Sequence, residues 1–180
     1  MKKQLVLIIT FLVTTLCGFT QPQVLNVPLS KPGSPFTLQA KLVYGSIVLS
    51  EHTGDEIVIN VDRKQTEFYT DSKEKGGMKR IGGSGGIELD VIEKDNVIDI
   101  SVPGWTKPVT LTIAIPKGST RIELATVNNG NVMVSNVGGE IEIKNVNGDI
   151  TFENVSGTVI ANTVNGNITG NFNSVKAEAP

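Results

Sequence analysis

The sequence has few of the residues on which most catalytic and metal sites depend. Its 180 residues include one cysteine, Cys17, and one histidine, His52. Aromatic residues make up 5% of the chain, which disfavours a large ligand pocket lined by aromatic side chains. The arginines are few and scattered, at Arg63, Arg80 and Arg121. This composition excludes a disulfide framework and a cysteine metal site, and it offers little for nucleophilic or acid–base catalysis.

The first twenty residues are typical of a secretory signal peptide. Lys2 and Lys3 precede an apolar run over residues 5–16, which is too short to span a bilayer comfortably. A retained N-terminal anchor and lipidation of Cys17 remain as alternatives, although Leu16 stands where a small residue normally precedes a lipidated cysteine. We expect residues 1–20 to be removed and the mature protein to be periplasmic, outer-membrane-associated or extracellular, without a transmembrane segment.

Loss of the signal peptide also changes the charge of the protein. Without Lys2 and Lys3 the chain keeps 14 basic and 18 acidic residues, a formal charge of −4. A mildly acidic chain with dispersed lysines has no electrostatic footprint for nucleic acid. We therefore expect no nucleic-acid partner.

After the signal peptide the chain reads as short strands separated by turns. Residues 21–35 hold four of the eight prolines and are predicted to form an extended, loosely held lead-in. From Phe36 onward, apolar and polar residues alternate with the period of a half-buried strand. Residues 70–86 interrupt this pattern and are predicted to be a polar, glycine-rich insert in a solvated loop. The sequence thus predicts one all-β domain over residues 36–180.

The C-terminal third is built on a nine-residue unit. Four consecutive units each begin with a valine and carry glycine at the third position. Asparagine recurs at the eighth or ninth position. The residues are Val137, Val146, Val155 and Val164; Gly139, Gly148, Gly157 and Gly166; and Asn136, Asn145 and Asn154. A fixed short period indicates a repeat architecture in which each unit buries its apolar side on its neighbours.

Two geometries can carry such a unit. In an antiparallel meander, Asn147-Gly148 is a two-residue hairpin turn, but Val146 then faces away from Ile150. In a parallel β-solenoid or β-roll, Val146, Gly148, Ile150 and Phe152 all point inward and the corner falls at the asparagines, which tolerate the left-handed conformation. The side of the strand on which the apolar residues fall therefore favours the solenoid, while the meander remains an alternative.

Metal and cofactor sites are not supported by the repeat. The nine-residue period is that of calcium-binding β-roll repeats, which need stacked rows of aspartates. Asp149 is the only aspartate among the four units. We therefore expect no calcium, and no cofactor of any kind.

Catalytic candidates are equally weak. His52 lies in a polar turn with Asp55 and Glu56, where a solvated turn histidine is the simpler interpretation. The pair Glu140 and Glu142 stands at outward strand positions, where carboxylates keep a sheet soluble and protect its edges. The glycine run at 82–86 lacks the helix start of a phosphate cradle. The sequence thus predicts a protein that is not an enzyme.

One aromatic residue is a candidate for recognition. Trp105 lies in a turn outside any clear alternation, where it can anchor a sugar or a protein. Folding over an open end of the core is an equally good interpretation. Outward asparagines such as Asn147, Asn165 and Asn167 form a regular polar face, which can bind glycans or simply keep the protein soluble.

The motifs resemble one known family. Residues 45–49, 54–59, 109–116 and the array from 146 to 159 together resemble the bacterial putative-adhesin family, which consists of exported domains of unknown function with a β-solenoid-like fold. The resemblance covers residues 36–175. It implies adhesion at the cell surface and brings no catalytic residues. Members of that family usually continue through further strands, so we expect the chain to be truncated at its C-terminus.

The sequence therefore predicts a non-enzymatic, exported β-solenoid module that binds a glycan or a surface protein or has a structural role. The first alternative is a carbohydrate-active β-helix enzyme of the polysaccharide-lyase kind, although the repeats offer no arginine for such a groove. The second is a display or spacer domain of a longer protein.

Overall fold

The structure, a computed structural model, describes residues 24–62, 78–81, 89–102 and 108–175. Twelve β-strands and no helix run through these residues, so the predicted all-β class is confirmed. The strands are β1 (Val24–Pro28), β2 (Phe36–His52), β3 (Glu56–Asp62), β4 (Met78–Ile81), β5 (Leu89–Lys94), β6 (Val97–Val102), β7 (Val109–Pro116), β8 (Ser119–Asn128), β9 (Val132–Ser135), β10 (Gly138–Asn147), β11 (Ile150–Asn165) and β12 (Ile168–Val175).

The long strand β2 organises the sheet. Its first half lies between β6 and β8, and its second half lies between β7 and β9, all in parallel. From β8 the parallel pairing continues to β10 and β11 and returns through β9 to β2. The hydrogen-bonded strands therefore close into a barrel-like ring of parallel strands. The antiparallel meander considered for the repeats is wrong, because every pair that they form is parallel.

The repeat units pair in steps of 18 residues. Ile150 lies in register with Val132 on one side and with Ile168 on the other, and Ile141 lies in register with Val159. Each nine-residue unit thus packs on the next unit but one, and adjacent units occupy different parts of the ring. One turn of the chain spans two units.

Two different corners separate the units. At one, Asn136 and Asn154 adopt positive φ values of 56° and 53°. At the other, Gly130, Gly148 and Gly166 stack so closely that a Cβ on Gly148 or Gly166 would collide with the carbonyl oxygen of the glycine 18 residues earlier. Absence of a side chain is therefore what lets neighbouring turns of the chain approach at this corner.

The prediction that Val146 points inward and that Asn145 forms a corner is wrong. Asn145 lies inside β10 and is 3% exposed, and its Nδ2 donates a hydrogen bond of 2.7 Å to the carbonyl of Gly130. Strand parity then turns Val146 outward, where it is 36% exposed. The chain bends only afterwards, at Gly148, and Ile150 returns to the interior.

The first valine of each unit is therefore buried and exposed in alternation along the chain. Val137 and Val155 follow the asparagine corner and are buried, whereas Val146 and Val164 precede the glycine corner and are exposed. The interior is filled by the alternating apolar residues of β1 to β3 and β5 to β11, most of them Ile, Leu and Val. It is one continuous hydrophobic core.

Antiparallel strands complete the other end of the sheet. Part of the predicted lead-in forms β1, which pairs with β3, and its Leu25 and Val27 are buried. This part is therefore held in the core rather than loosely. Within the predicted insert, Met78–Ile81 is a strand paired with β5 and not a loop; the rest of the insert lies outside the described residues.

Candidate functional site

A row of exposed valines crosses the outer face of the ring. Val43, Val127, Val146 and Val164 occupy the same register position on β2, β8, β10 and β11, as the pairs that flank them show. Val43 is half-buried, and the other three are 40%, 36% and 69% exposed. We call these four residues the valine ladder. Exposed apolar residues that line up in this way are typical of a binding surface.

A network of charges lies on the same face, beside the ladder. The Arg121 guanidinium contacts Glu123 at 2.6 Å, Glu140 at 3.1 Å and Glu142 at 3.1 Å. Lys144 contacts Glu142 at 2.6 Å. We call these five residues the ion network.

Contacts within the ion network shift the pKa values of its own members. The hydrogen bond from Lys144 lowers the pKa of Glu142, and the charge of Arg121 adds to the effect. The hydrogen bond to Glu123 raises the pKa of Arg121. All of these side chains are partly or largely exposed, so each pair contributes little to stability. The network instead gives the valine ladder a charged border.

His52 is held within its own turn. Its Nδ1 accepts a hydrogen bond of 3.1 Å from the Gly54 backbone, so Nε2 carries the proton and donates to the Glu56 carbonyl at 2.8 Å. The turn also borders a cavity of about 290 Å³ that is lined in part by Phe36 and Lys117. Because both ring nitrogens have backbone partners, the geometry gives His52 a structural role in the turn.

Asparagines bind successive turns of the chain to each other. Asn165 Nδ2 donates to Asn147 Oδ1 at 2.8 Å, and Asn147 in turn donates to the Val127 carbonyl at 3.2 Å. Two positions further along, the Asn167 backbone donates to Asp149 Oδ1 at 2.8 Å. Asp149 therefore has a backbone partner as well as an exposed position. The asparagines of the predicted polar face thus form hydrogen bonds within the chain, along the corner that contains Gly148 and Gly166.

Glu93 ties the N-terminal segment to the hairpin of β5 and β6. It accepts hydrogen bonds from the Ser30 backbone at 3.1 Å, the Ser30 hydroxyl at 2.8 Å and the Asn96 backbone at 3.0 Å. Asn96 is 4% exposed and bonds to Lys31 through both side-chain atoms. Burial raises the pKa of Glu93, but the hydrogen bonds from Ser30 and Asn96 outweigh it and lower the pKa below its ordinary value.

We expect Glu93→Gln to lower the free energy of unfolding by about 1 kcal/mol at neutral pH. A carboxyl whose pKa is lowered by folding stabilises the protein above its unfolded pKa, and this contribution is lost as pH falls through the folded pKa, which here lies below 4.5. The difference from the wild type should therefore shrink toward about pH 3. Urea unfolding at both pH values measures it. Glu153→Gln, at an exposed position, is the control; a difference that persists in acid would contradict this role for Glu93.

Several predicted residues lie outside the described residues. They include Cys17 with the rest of the signal peptide, the glycine run at 82–86 and Trp105. The proposed recognition by Trp105 therefore stays a prediction. The valine ladder was missed because it depends on the register between β2 and β8, which no pattern within either strand reveals.

The described residues contain no group of three or more His, Cys, Asp or Glu side chains placed to hold a metal ion. None of their secondary structure is a helix long and apolar enough to cross a bilayer.

No family model and no curated protein matches the chain. The structure of a putative cell adhesion protein from Clostridium sporogenes aligns over 87% of this chain and 100% of its own, with 13% identity and a TM-score of 0.45. That of a putative adhesin from Bacteroides fragilis aligns over 87% and 96%, with 9% identity and a TM-score of 0.29. The family therefore remains a resemblance of motifs.

Proposed function

We propose that this chain is an exported, non-enzymatic β-solenoid module that binds another protein at the cell surface or in the periplasm. In this proposal the 18-residue steps of the parallel strands are the coils of the solenoid, and the outer face of β2, β8, β10 and β11 is the contact surface. The valine ladder is the observation that carries the proposal.

The composition of this face favours a protein partner over a glycan. Its apolar centre is aliphatic, whereas sugars are generally held by aromatic rings and by polar groups that are free to bond. Its charges contact one another, as in Arg121 with Glu140, and so do not present a single sign to a ligand. An apolar centre with a charged border is the arrangement found in protein–protein contacts. The partner should present a complementary apolar strip.

The test uses variants that change the ladder and leave the interior intact. Val127→Asp and Val146→Asp together place two charges in its centre at exposed positions. The control variant, Ile92→Asp with Val97→Asp, adds the same charge at positions of similar exposure on β5 and β6, outside the proposed contact surface. We expect wild type and control to bind surface-protein fractions equally, and the ladder variant to bind at least about tenfold more weakly, as one lost contact of 1.4 kcal/mol requires.

Two further arms separate the alternatives. Protease treatment of the surface fraction should abolish binding, whereas binding that survives protease and is lost on glycosidase treatment would replace the protein partner by a glycan. Incubation with polysaccharides should give no cleavage; measurable hydrolysis or elimination would overturn the non-enzymatic proposal. Equal binding by the ladder variant and the wild type would remove the ladder from the interface.

A further inference from the structure

A cavity of about 290 Å³ lies where three segments of the chain cross. One wall comes from the loop before β2, residues 29–36, and another from the turn between β2 and β3, residues 52–55. Pro116 and Lys117, where the chain passes from β7 to β8, form the third wall. We call this space the crossing cavity.

The order of the strands explains why a cavity forms here. β7 lies between β2 and β3 in the sheet, so the turn that joins β2 to β3 must cross the end of β7. The chain that leaves β7 must pass this turn to reach β8, which pairs with the other side of β2. Two connections therefore cross at one end of the sheet, and the crossing cavity is the space left beside them.

Hydrogen bonds hold two of the three walls in place. The ring of His52 bonds to the backbone at both nitrogens, and a Cβ on Gly54 would collide with that ring. In the loop before β2, the Lys31 backbone donates to Asn96 Oδ1 at 2.7 Å and accepts from Asn96 Nδ2 at 2.9 Å. The Ser34 backbone donates to the Lys31 carbonyl at 3.2 Å. Walls fixed in this way form a site before a ligand arrives, which lowers the entropic cost of binding.

The crossing cavity has an apolar floor and two opposite charges at its mouth. Leu29, Phe36 and Pro116 are its buried lining residues, whereas Asp55 and Lys117 are exposed. Asp55 precedes β3 and Lys117 follows β7, and these strands pair antiparallel, so both charges lie at the same end of the pair. Within the described parts of the chain, neither side chain forms an ion pair. Both charges are therefore available to a ligand.

We propose that the crossing cavity binds one free α-amino acid with an apolar side chain. Such a ligand carries an ammonium and a carboxylate on a single carbon, with an apolar group beyond them. Asp55 binds the ammonium and Lys117 binds the carboxylate through charge-assisted hydrogen bonds, while the side chain of the ligand packs on Leu29 and Phe36. The site is separate from the valine ladder and does not depend on it.

The size of the crossing cavity supports a ligand of this kind. At about 290 Å³ it lies at the lower limit of ligand pockets, so it suits a molecule of few atoms and not an oligosaccharide. A peptide would bring only one of the two charges at each of its ends. A free amino acid brings both charges to one place, where Asp55 and Lys117 lie.

An NMR chemical-shift titration of the purified, ¹⁵N-labelled protein with L-leucine tests the proposal. We expect saturable shifts in the amide signals of residues 29–36 and 52–55, with a Kd below about 1 mM. Two analogues each lack one charge: leucinamide keeps the ammonium, and 4-methylpentanoate keeps the carboxylate. Each should bind at least about tenfold more weakly than leucine.

Two variants then assign the charges. Lys117→Gln should weaken the binding of leucine at least about tenfold but leave leucinamide binding no weaker, because leucinamide has no carboxylate. Asp55→Asn should weaken leucine equally but leave 4-methylpentanoate binding no weaker. The matched controls are Lys41→Gln and Asp62→Asn, which remove the same charges at exposed positions outside the crossing cavity. Both controls should bind leucine like the wild type.

Four outcomes would overturn the proposal. The first is the absence of saturable shifts at about 20 mM leucine, and the second is a set of shifts that leaves residues 29–36 and 52–55 unchanged. The third is binding of leucine by Lys117→Gln and Asp55→Asn with the affinity of the wild type. The fourth is equal binding of leucine and both analogues, because the two charges would then contribute nothing.

Discussion

Replacing Gly148 by alanine should lower the free energy of unfolding by about 3 kcal/mol or more. Gly148 has a φ of 150°, and a Cβ there would collide with the carbonyl oxygen of Gly130 and lie 2.7 Å from its carbonyl carbon. Both atoms belong to the backbone of the neighbouring turn of the chain, so no side chain can rotate away. The two turns would have to separate, which would break the hydrogen bonds on either side of the corner.

The control for this substitution lies ten residues earlier. Gly138 has no strained φ, and the nearest atom to a Cβ there is the Ser156 hydroxyl oxygen at 3.2 Å, on a side chain that can move. Gly138→Ala should therefore change the free energy of unfolding by less than about 1 kcal/mol. Chemical denaturation of both variants measures the contrast. Equal costs at the two positions would contradict the close stacking at the glycine corner.

Replacing the first valine of successive units by alanine should lower the free energy of unfolding by a large and a small amount in alternation. Val137→Ala and Val155→Ala remove methyl groups that are fully or almost fully buried, so each should cost about 2 kcal/mol. Val146→Ala and Val164→Ala act at exposed positions and should stay within about 0.5 kcal/mol of the wild type.

The four variants share one chemical change, so they control one another. Thermal or urea unfolding gives the free energies of unfolding. The prediction concerns only the alternation between large and small losses along the four positions. Four similar costs would mean that all units are structurally equivalent, as a true nine-residue coil would make them. A cost at Val146 equal to that at Val155 would restore the inward position that strand parity first suggested.

Much of the strand pattern could be predicted from local alternation. The apolar residues of β2, β3, β6 and β7 alternate with polar ones, and burial follows that alternation closely. Such a pattern reports which side of a strand faces the core, because successive side chains point to opposite sides. It reports nothing about which strand lies beside it. The lead-in was misjudged for this reason: its prolines concealed the buried residues Leu25 and Val27.

The 18-residue step was harder to see, because both corners place glycine at the third position of the unit. One signal was present. The second and fourth units share the pattern Val-Asn-Gly-Asp/Asn-Ile-Thr, at 146–151 and 164–169, and the first and third do not. Asp149 and Asn167 stand at the same place in this pattern, and the side chain of the first accepts a hydrogen bond from the backbone of the second. Asn145 misled the prediction because its position in the unit matches that of Asn136, while its environment does not.

The valine ladder could not be predicted from any single segment of the sequence. It joins Val43 to Val127, which are far apart in the chain and become neighbours only through the parallel register of β2 and β8. A long-range register of this kind is set by the whole stack of strands, not by the residues of one strand. The candidate binding surface therefore follows from the topology, whereas the repeat residues that dominate the sequence serve the fold.

Disulfide trapping tests the 18-residue step most directly. In a chain whose only cysteine has been replaced, Cys17→Ser, the pair Thr151→Cys and Thr169→Cys joins register neighbours on adjacent parallel strands, within the Cα separation that a disulfide spans. The pair Thr151→Cys and Ile160→Cys is nine residues apart and places the thiols in the two halves of β11, which pair with different strands, β9 and β10. Mass spectrometry after mild oxidation should show the first pair cross-linked within the monomer and the second reduced. Cross-linking of the second pair and not the first would contradict the 18-residue step.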